Sequence, residues 1–115
     1  MRLIEFTPES ISDLQNLREY LELNFDENLA NKIVRKVVDA IESLQISPKA
    51  GSDLLAKYGI VSDYLCLITN HNYVFYRLEE DSIKIIRALN EKQDFLNILF
   101  GIKTTSQETE DYWDE

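Results

Sequence analysis

Tyr64-Leu65-Cys66-Leu67-Ile68-Thr69-Asn70-His71-Asn72-Tyr73-Val74-Phe75-Tyr76-Arg77-Leu78 is the stretch on which the fold turns. Its two ends are rich in aromatic and aliphatic residues, and its middle holds polar residues that favour turns. It therefore reads as two strands, Tyr64–Thr69 and Tyr73–Leu78, folded over Asn70-His71-Asn72. A second polar break, Glu79-Glu80-Asp81-Ser82, leads into a third strand, Ile83–Leu89, which carries apolar residues on both faces. Connections this short leave antiparallel pairing as the only arrangement, so the three strands are expected to form a meander.

Upstream of this stretch the apolar period changes from two to that of a helix. Leu29, Ile33, Val37, Ile41 and Leu44 recur at spacings of three and four, and Ala30, Val34, Val38 and Ala40 thicken the stripe. Asp26 is placed to cap this helix, and Pro48 and Gly51 to stop it. Before it, Thr7-Pro8-Glu9 opens another helix, with Ile11, Leu14, Leu17 and Leu21 on one face, Tyr20 and Leu23 at its borders, and Asn24 at its end. Two helices joined by so few residues are antiparallel neighbours. Leu3, Ile4 and Phe6 give a short N-terminal strand, and Ser52–Gly59 suggests one or two helical turns. Phe95, Leu96, Leu99 and Phe100 form the apolar side of a last helix over Glu91–Phe100, closed by Gly101. The expected fold class is α+β. A small antiparallel sheet (the N-terminal strand plus the three-strand meander) packs against an N-terminal helical hairpin, with a short C-terminal helix.

The chain has 115 residues, 44% of them apolar, which suits one domain with one core and excludes a disordered chain. A single cysteine, Cys66, excludes an internal disulfide framework and a cysteine-based metal cluster. No apolar run is long enough to span a membrane and no signal pattern opens the sequence, so a cytoplasmic protein is expected. The formal net charge is −9, but its distribution is uneven. Residues 1–103 hold 16 acids against 12 bases, whereas residues 104–115 hold five acids and no base. The division expected is a domain over 1–103 and an acidic tail over 104–115. Within that tail Tyr112 and Trp113 are candidates to dock on a basic groove.

Enzyme signatures are sparse. Three glycines are too few for a phosphate-cradling loop, and no paired histidines or Cys-x-x-Cys are present. No metal and no cofactor are expected. His71, the single imidazole, has the chemistry of a general base, but its place between asparagines also suits a turn. Cys66 reads as a packed thiol rather than a nucleophile. Arg77 and Arg87 lie on neighbouring strands, where the meander is expected to bring them onto one face. There they either line an anion site or pair with Glu79, Glu91 or Asp94.

The strand–hairpin–meander order, with Ile4-Glu5-Phe6-Thr7-Pro8-Glu9, His71-Asn72-Tyr73-Val74-Phe75-Tyr76-Arg77 and Ile83-Lys84-Ile85-Ile86-Arg87-Ala88-Leu89-Asn90, resembles the RelE/ParE toxins of type II toxin–antitoxin modules. The resemblance covers about residues 1–100. RelE-like members are ribosome-dependent mRNA endonucleases, and those ParE-like members that are characterised poison DNA gyrase. In the endonuclease branch an arginine opens the third strand, in a Tyr-Arg-Leu-Val-Tyr type of pattern. Here that position is Tyr73, with Tyr76 matching the later tyrosine. Lys92 stands where another family base falls, followed by Gln93 and Asp94 rather than a basic cluster, and Asn90 replaces a frequent histidine.

The resemblance is therefore closer to the ParE branch. It implies a cytoplasmic toxin of the plasmid-stabilisation type that inhibits DNA gyrase without catalysis of its own. A cognate antitoxin would neutralise it within an oligomeric complex, as a helix across the hairpin or a strand on the sheet edge. The alternatives are an mRNA endonuclease using Arg77, Arg87, Lys92 and His71, or a non-toxic binding module. Residues expected to touch target or antitoxin are Tyr73, Tyr76, Arg77, Arg87, Asn90, Phe95, Leu99, Phe100 and Trp113. The acidic charge makes the ribosome the less favoured contact, because ribosomal RNA repels it at long range.

Overall fold

The computed structural model describes residues 2–101. Its elements are β1 (Leu3–Phe6), α1 (Pro8–Asn24), α2 (Glu27–Glu42) with a 3₁₀ turn at Ser43–Gln45, β2 (Ser52–Asp53), α3 (Leu54–Tyr58), β3 (Leu65–Thr69), β4 (Asn72–Leu78), β5 (Ser82–Asn90) and α4 (Phe95–Phe100). The tail over 104–115, with Trp113, lies outside the described residues.

Local chemistry fixes the helix ends where the sequence places them. The Thr7 hydroxyl accepts the Ser10 N–H, with Pro8 at the first helical position, and Asp26 accepts the Leu29 N–H. The α2 stripe buries Ala30, Val34, Val37 and Ile41, and of these Val37 and Ile41 pack against the sheet. The last helix is shorter than expected. It begins at Phe95, capped by Asp94, because the preceding residues form a turn in which the Gln93 N–H donates to the Asn90 carbonyl.

The sheet has five strands in the order β1-β5-β4-β3-β2. The meander β3–β4–β5 is antiparallel, as expected. Strand β1, expected to join it antiparallel, instead runs parallel to β5, with Ile4 opposite Ile83 and Phe6 opposite Ile85. Parallel pairing needs a long crossover, and everything from α1 to β4 supplies it. The Thr7 hydroxyl donates to the Ile86 carbonyl and so holds the start of α1 on β5. Strand β2, only two residues long, pairs antiparallel with β3 and was not foreseen.

Alternation along β4 divides the side chains between two cores. Val74 and Tyr76 join Val37, Ile41, Leu44, Ile83 and Ile85 beneath the hairpin. Phe75 joins Leu54, Cys66 and Leu89 on the opposite face, where α3 and α4 close over them through Tyr73, Phe95, Leu99 and Phe100. The helical hairpin thus covers one face and the two short helices cover the other.

Candidate functional site

A bulge between the Phe75 and Tyr76 positions breaks the alternation of β4 against β5, so that Tyr76 faces Ile85 while Phe75 faces Arg87. Ile86 is the extra residue, and the local kink re-aims its neighbours. Arg87 turns to the hairpin side, where its Nε donates to Asp13 Oδ2 at 2.7 Å and its terminal nitrogen to Asp13 Oδ1 at 2.9 Å. The Ala88 N–H donates to the same carboxylate at 2.9 Å. These bonds raise the Arg87 pKa above its ordinary value against the opposing effect of burial. Arg77, next to the inward-facing Tyr76, lies on the other face opposite Lys84. It donates to Glu79 at 3.0 Å and approaches Asp63 at 4.0 Å. Hydrogen bonds from Ser82 and Arg77 hold the Glu79 carboxyl below the usual carboxylate range.

The expected common face for Arg77 and Arg87 is therefore not formed. The two cations point to opposite sides of the sheet, each tied to its own carboxylate. Arg77 has the expected partner Glu79, whereas Arg87 has Asp13, which was not among those foreseen. The signal was present: Asp13 lies three residues from Ser10 and four from Leu17, on the side of α1 that faces the core. A carboxylate in that position requires a cation or several N–H donors.

The remaining candidates separate in the same way. Tyr76 is fully buried, donating to the Pro48 carbonyl at 2.8 Å and accepting the Gly51 N–H at 2.9 Å. Burial pushes its pKa up and the Gly51 bond opposes that shift. Gly51 is required there, since an added Cβ would sit 2.7 Å from the Tyr76 hydroxyl. Tyr73 packs edge-on to Phe75 and Phe95 at centroid distances of 6.3 and 5.6 Å. Phe95 also stacks against Tyr58 and Phe75, and Phe100 against Tyr64, so with Leu99 they close the second core. His71 occupies a two-residue turn with Asn70, both at positive φ, and its exposed Nδ1 lies 3.0 Å from Glu91. Trp113 lies outside the described residues.

Among the surface depressions, two flank α1. Between α1 and the ends of β4 and β5 is a cleft of about 350 Å³ whose lining includes Asn16, Leu17, Tyr20, Asn72, Asn90, Lys92 and Gln93. On the other flank of α1, a smaller apolar groove runs over Phe6, Ile11, Leu14 and Val34, with Arg18 at its rim. It adjoins β1, whose outer edge is unpaired among the described residues and whose Leu3 and Phe6 are exposed. Among the described residues no cluster of histidine, cysteine and carboxylate side chains has metal-binding geometry, and no helix is long and apolar enough to cross a membrane.

Comparison with known proteins agrees with this architecture. The family described as the ParE toxin of the type II toxin–antitoxin system parDE matches residues 4–95. A chain of the chromosomal ParDE system from Pseudomonas aeruginosa shares the fold with a TM-score of 0.67 at 17% identity, covering 78% of this chain and 96% of that one. The YoeB dimer of Staphylococcus aureus aligns with a TM-score of 0.52 at 19% identity, covering 76% and 94%. No curated protein sequence matches the chain.

Proposed function

We propose that this chain, which belongs to the ParE toxin family of type II toxin–antitoxin systems, is a toxin that inhibits DNA gyrase by surface binding rather than by cutting RNA. The observation that carries this reading is the commitment of Arg87 to Asp13. Cleavage through the RNA 2′-hydroxyl needs a base, an acid and a cation that converge on one phosphate. Here Arg87 and Arg77 are neutralised on opposite faces, His71 is exposed at a turn, and Lys92 lines the cleft beside α1. Both arginines are thereby committed to carboxylates instead of to a phosphate.

The cognate antitoxin docks, in this reading, on the apolar groove over Phe6, Ile11, Leu14 and Val34 and along the open edge of β1. Exposed apolar side chains beside an unpaired strand favour an added segment that supplies both apolar contacts and backbone hydrogen bonds. Arg18 at the groove rim selects an acidic residue flanking that segment. The test is expression in a susceptible bacterium, alone and together with any small open reading frame that adjoins the gene. Filamentation and a DNA-damage response that co-expression abolishes support the reading. Discrete cuts in translated transcripts, mapped by primer extension, favour the endonuclease alternative.

A further inference from the structure

The cleft between α1 and the ends of β4 and β5 has a one-sided hydrogen-bond inventory. Its acceptors are largely consumed within the protein. Both oxygens of Asp13 are taken by Arg87 and the Ala88 N–H. Asn90 Oδ1 accepts the Lys92 N–H, and Gln93 Oε1 accepts the Asn90 N–H. These backbone donors fix which end of each carboxamide is oxygen, so the NH₂ groups of Asn90 and Gln93 are left to donate elsewhere. Asn16 adds a further carboxamide and Tyr20 a hydroxyl, neither with a side-chain partner among the described residues. Lys92 brings an ammonium with no carboxylate within ion-pair distance among the described residues. Asn72, only 3% exposed, donates one N–H of its NH₂ to the Asn70 carbonyl, which identifies its other terminal atom as an acceptor, Oδ1. Leu17, Ala88 and the Tyr20 ring supply the apolar part of the lining.

From this surplus of donors we propose that the cleft is a binding site for a peptide carboxylate with an apolar group beside it. A carboxylate accepts from the Lys92 ammonium and from the NH₂ groups of Asn16, Asn90 and Gln93. The adjoining amide N–H of the peptide donates to Asn72 Oδ1, and its apolar side chain rests on Leu17, Ala88 and Tyr20. A single negative charge suits a site with a single unpaired cation. A phosphate monoester brings close to two charges to that one lysine, on a chain whose formal net charge is already −9. The carboxylate comes either from a chain terminus or from an acidic side chain of a protein partner. The cleft and the apolar groove flank α1 on different sides, so the proposal does not depend on gyrase inhibition or on the antitoxin.

The test is NMR titration of the full chain, following the side-chain amide resonances of Asn16, Asn90 and Gln93. The probes are N-acetyl-leucine, N-acetylglutamic acid α-amide, N-acetyl-leucinamide and inorganic phosphate. Either carboxylate probe is expected to shift these resonances, the stronger one identifying a terminus or a side chain as the source. Lys92→Gln, at an exposed position, should weaken that binding about tenfold by loss of a charge-assisted bond. The proposal is overturned if neither carboxylate shifts the resonances, if N-acetyl-leucinamide shifts them equally, or if phosphate binds more tightly than both.

Discussion

Arg87 and Asp13, 74 residues apart in sequence, meet in a two-pronged ion pair that joins the last strand to the first helix. The Asp13 side chain is 8% exposed and that of Arg87 25%, so the carboxylate has little access to water as a substitute. The pair occupies both the Arg87 guanidinium and the Asp13 carboxylate.

Asp13→Ala leaves the guanidinium partly buried without its counter-charge and the Ala88 N–H without an acceptor. The expected loss is about 3 kcal/mol, read by urea denaturation. Arg87→Lys should recover only part of the pair, because an ammonium cannot reproduce two parallel bonds from one planar group.

Tyr76→Phe removes the bonds to Pro48 and Gly51 while keeping the ring in the core. It is expected to cost about 1–2 kcal/mol. Gly51→Ala should cost at least as much, since its methyl meets the Tyr76 hydroxyl at 2.7 Å. In the double variant the ring carbon at 2.8 Å and the Cys66 backbone at 3.0 Å still crowd the added methyl, so the loss should be at least that of Gly51→Ala alone. Thermal unfolding of the four proteins checks this.

Much of this architecture is legible in the sequence, for local reasons. The α1 and α2 boundaries follow from Thr7, Pro8 and Asp26, and the meander from the turn residues at 70–71 and 79–82. What escapes is set by contacts far apart in the chain. The parallel pairing of β1 with β5 joins Leu3 to Ser82, and no local pattern encodes that direction. The bulge that separates Arg87 from Arg77 depends on the β4–β5 register. Strand β2 is too short to carry a period. For the site, the residue types that matter were visible, but the one extra residue in β5 that sets the surroundings of Arg87 was not.

The Cys66 thiol is buried, and that burial pushes its pKa up to about 11. The folded state holds this proton more tightly than the unfolded chain. Its contribution is intact below the ordinary thiol pKa and is lost as pH rises through the raised value. Stability should therefore fall between about pH 9 and about pH 11, with Tyr58, Tyr73 and Tyr76 adding to the slope because their pKa values are raised as well. Cys66→Ala should flatten the curve without abolishing the slope. Chemical denaturation across this range measures both.

His71 stands at φ +64°, a conformation that glycine adopts without strain. His71→Gly is expected to change stability by no more than about 0.5 kcal/mol, since strain relief offsets backbone entropy and the loss of an exposed contact with Glu91. Growth inhibition by the variant should match the parent. A loss of toxicity with the fold intact would assign the imidazole a chemical role.

The most direct test of the account is supercoiling of relaxed plasmid by purified DNA gyrase in the presence of the purified chain. Supercoiling is expected to be inhibited, the antitoxin to restore it, and a translating extract given the same chain to show no new mRNA ends. Undiminished supercoiling, together with discrete mRNA cuts that Lys92→Gln or His71→Gly abolishes, would contradict it.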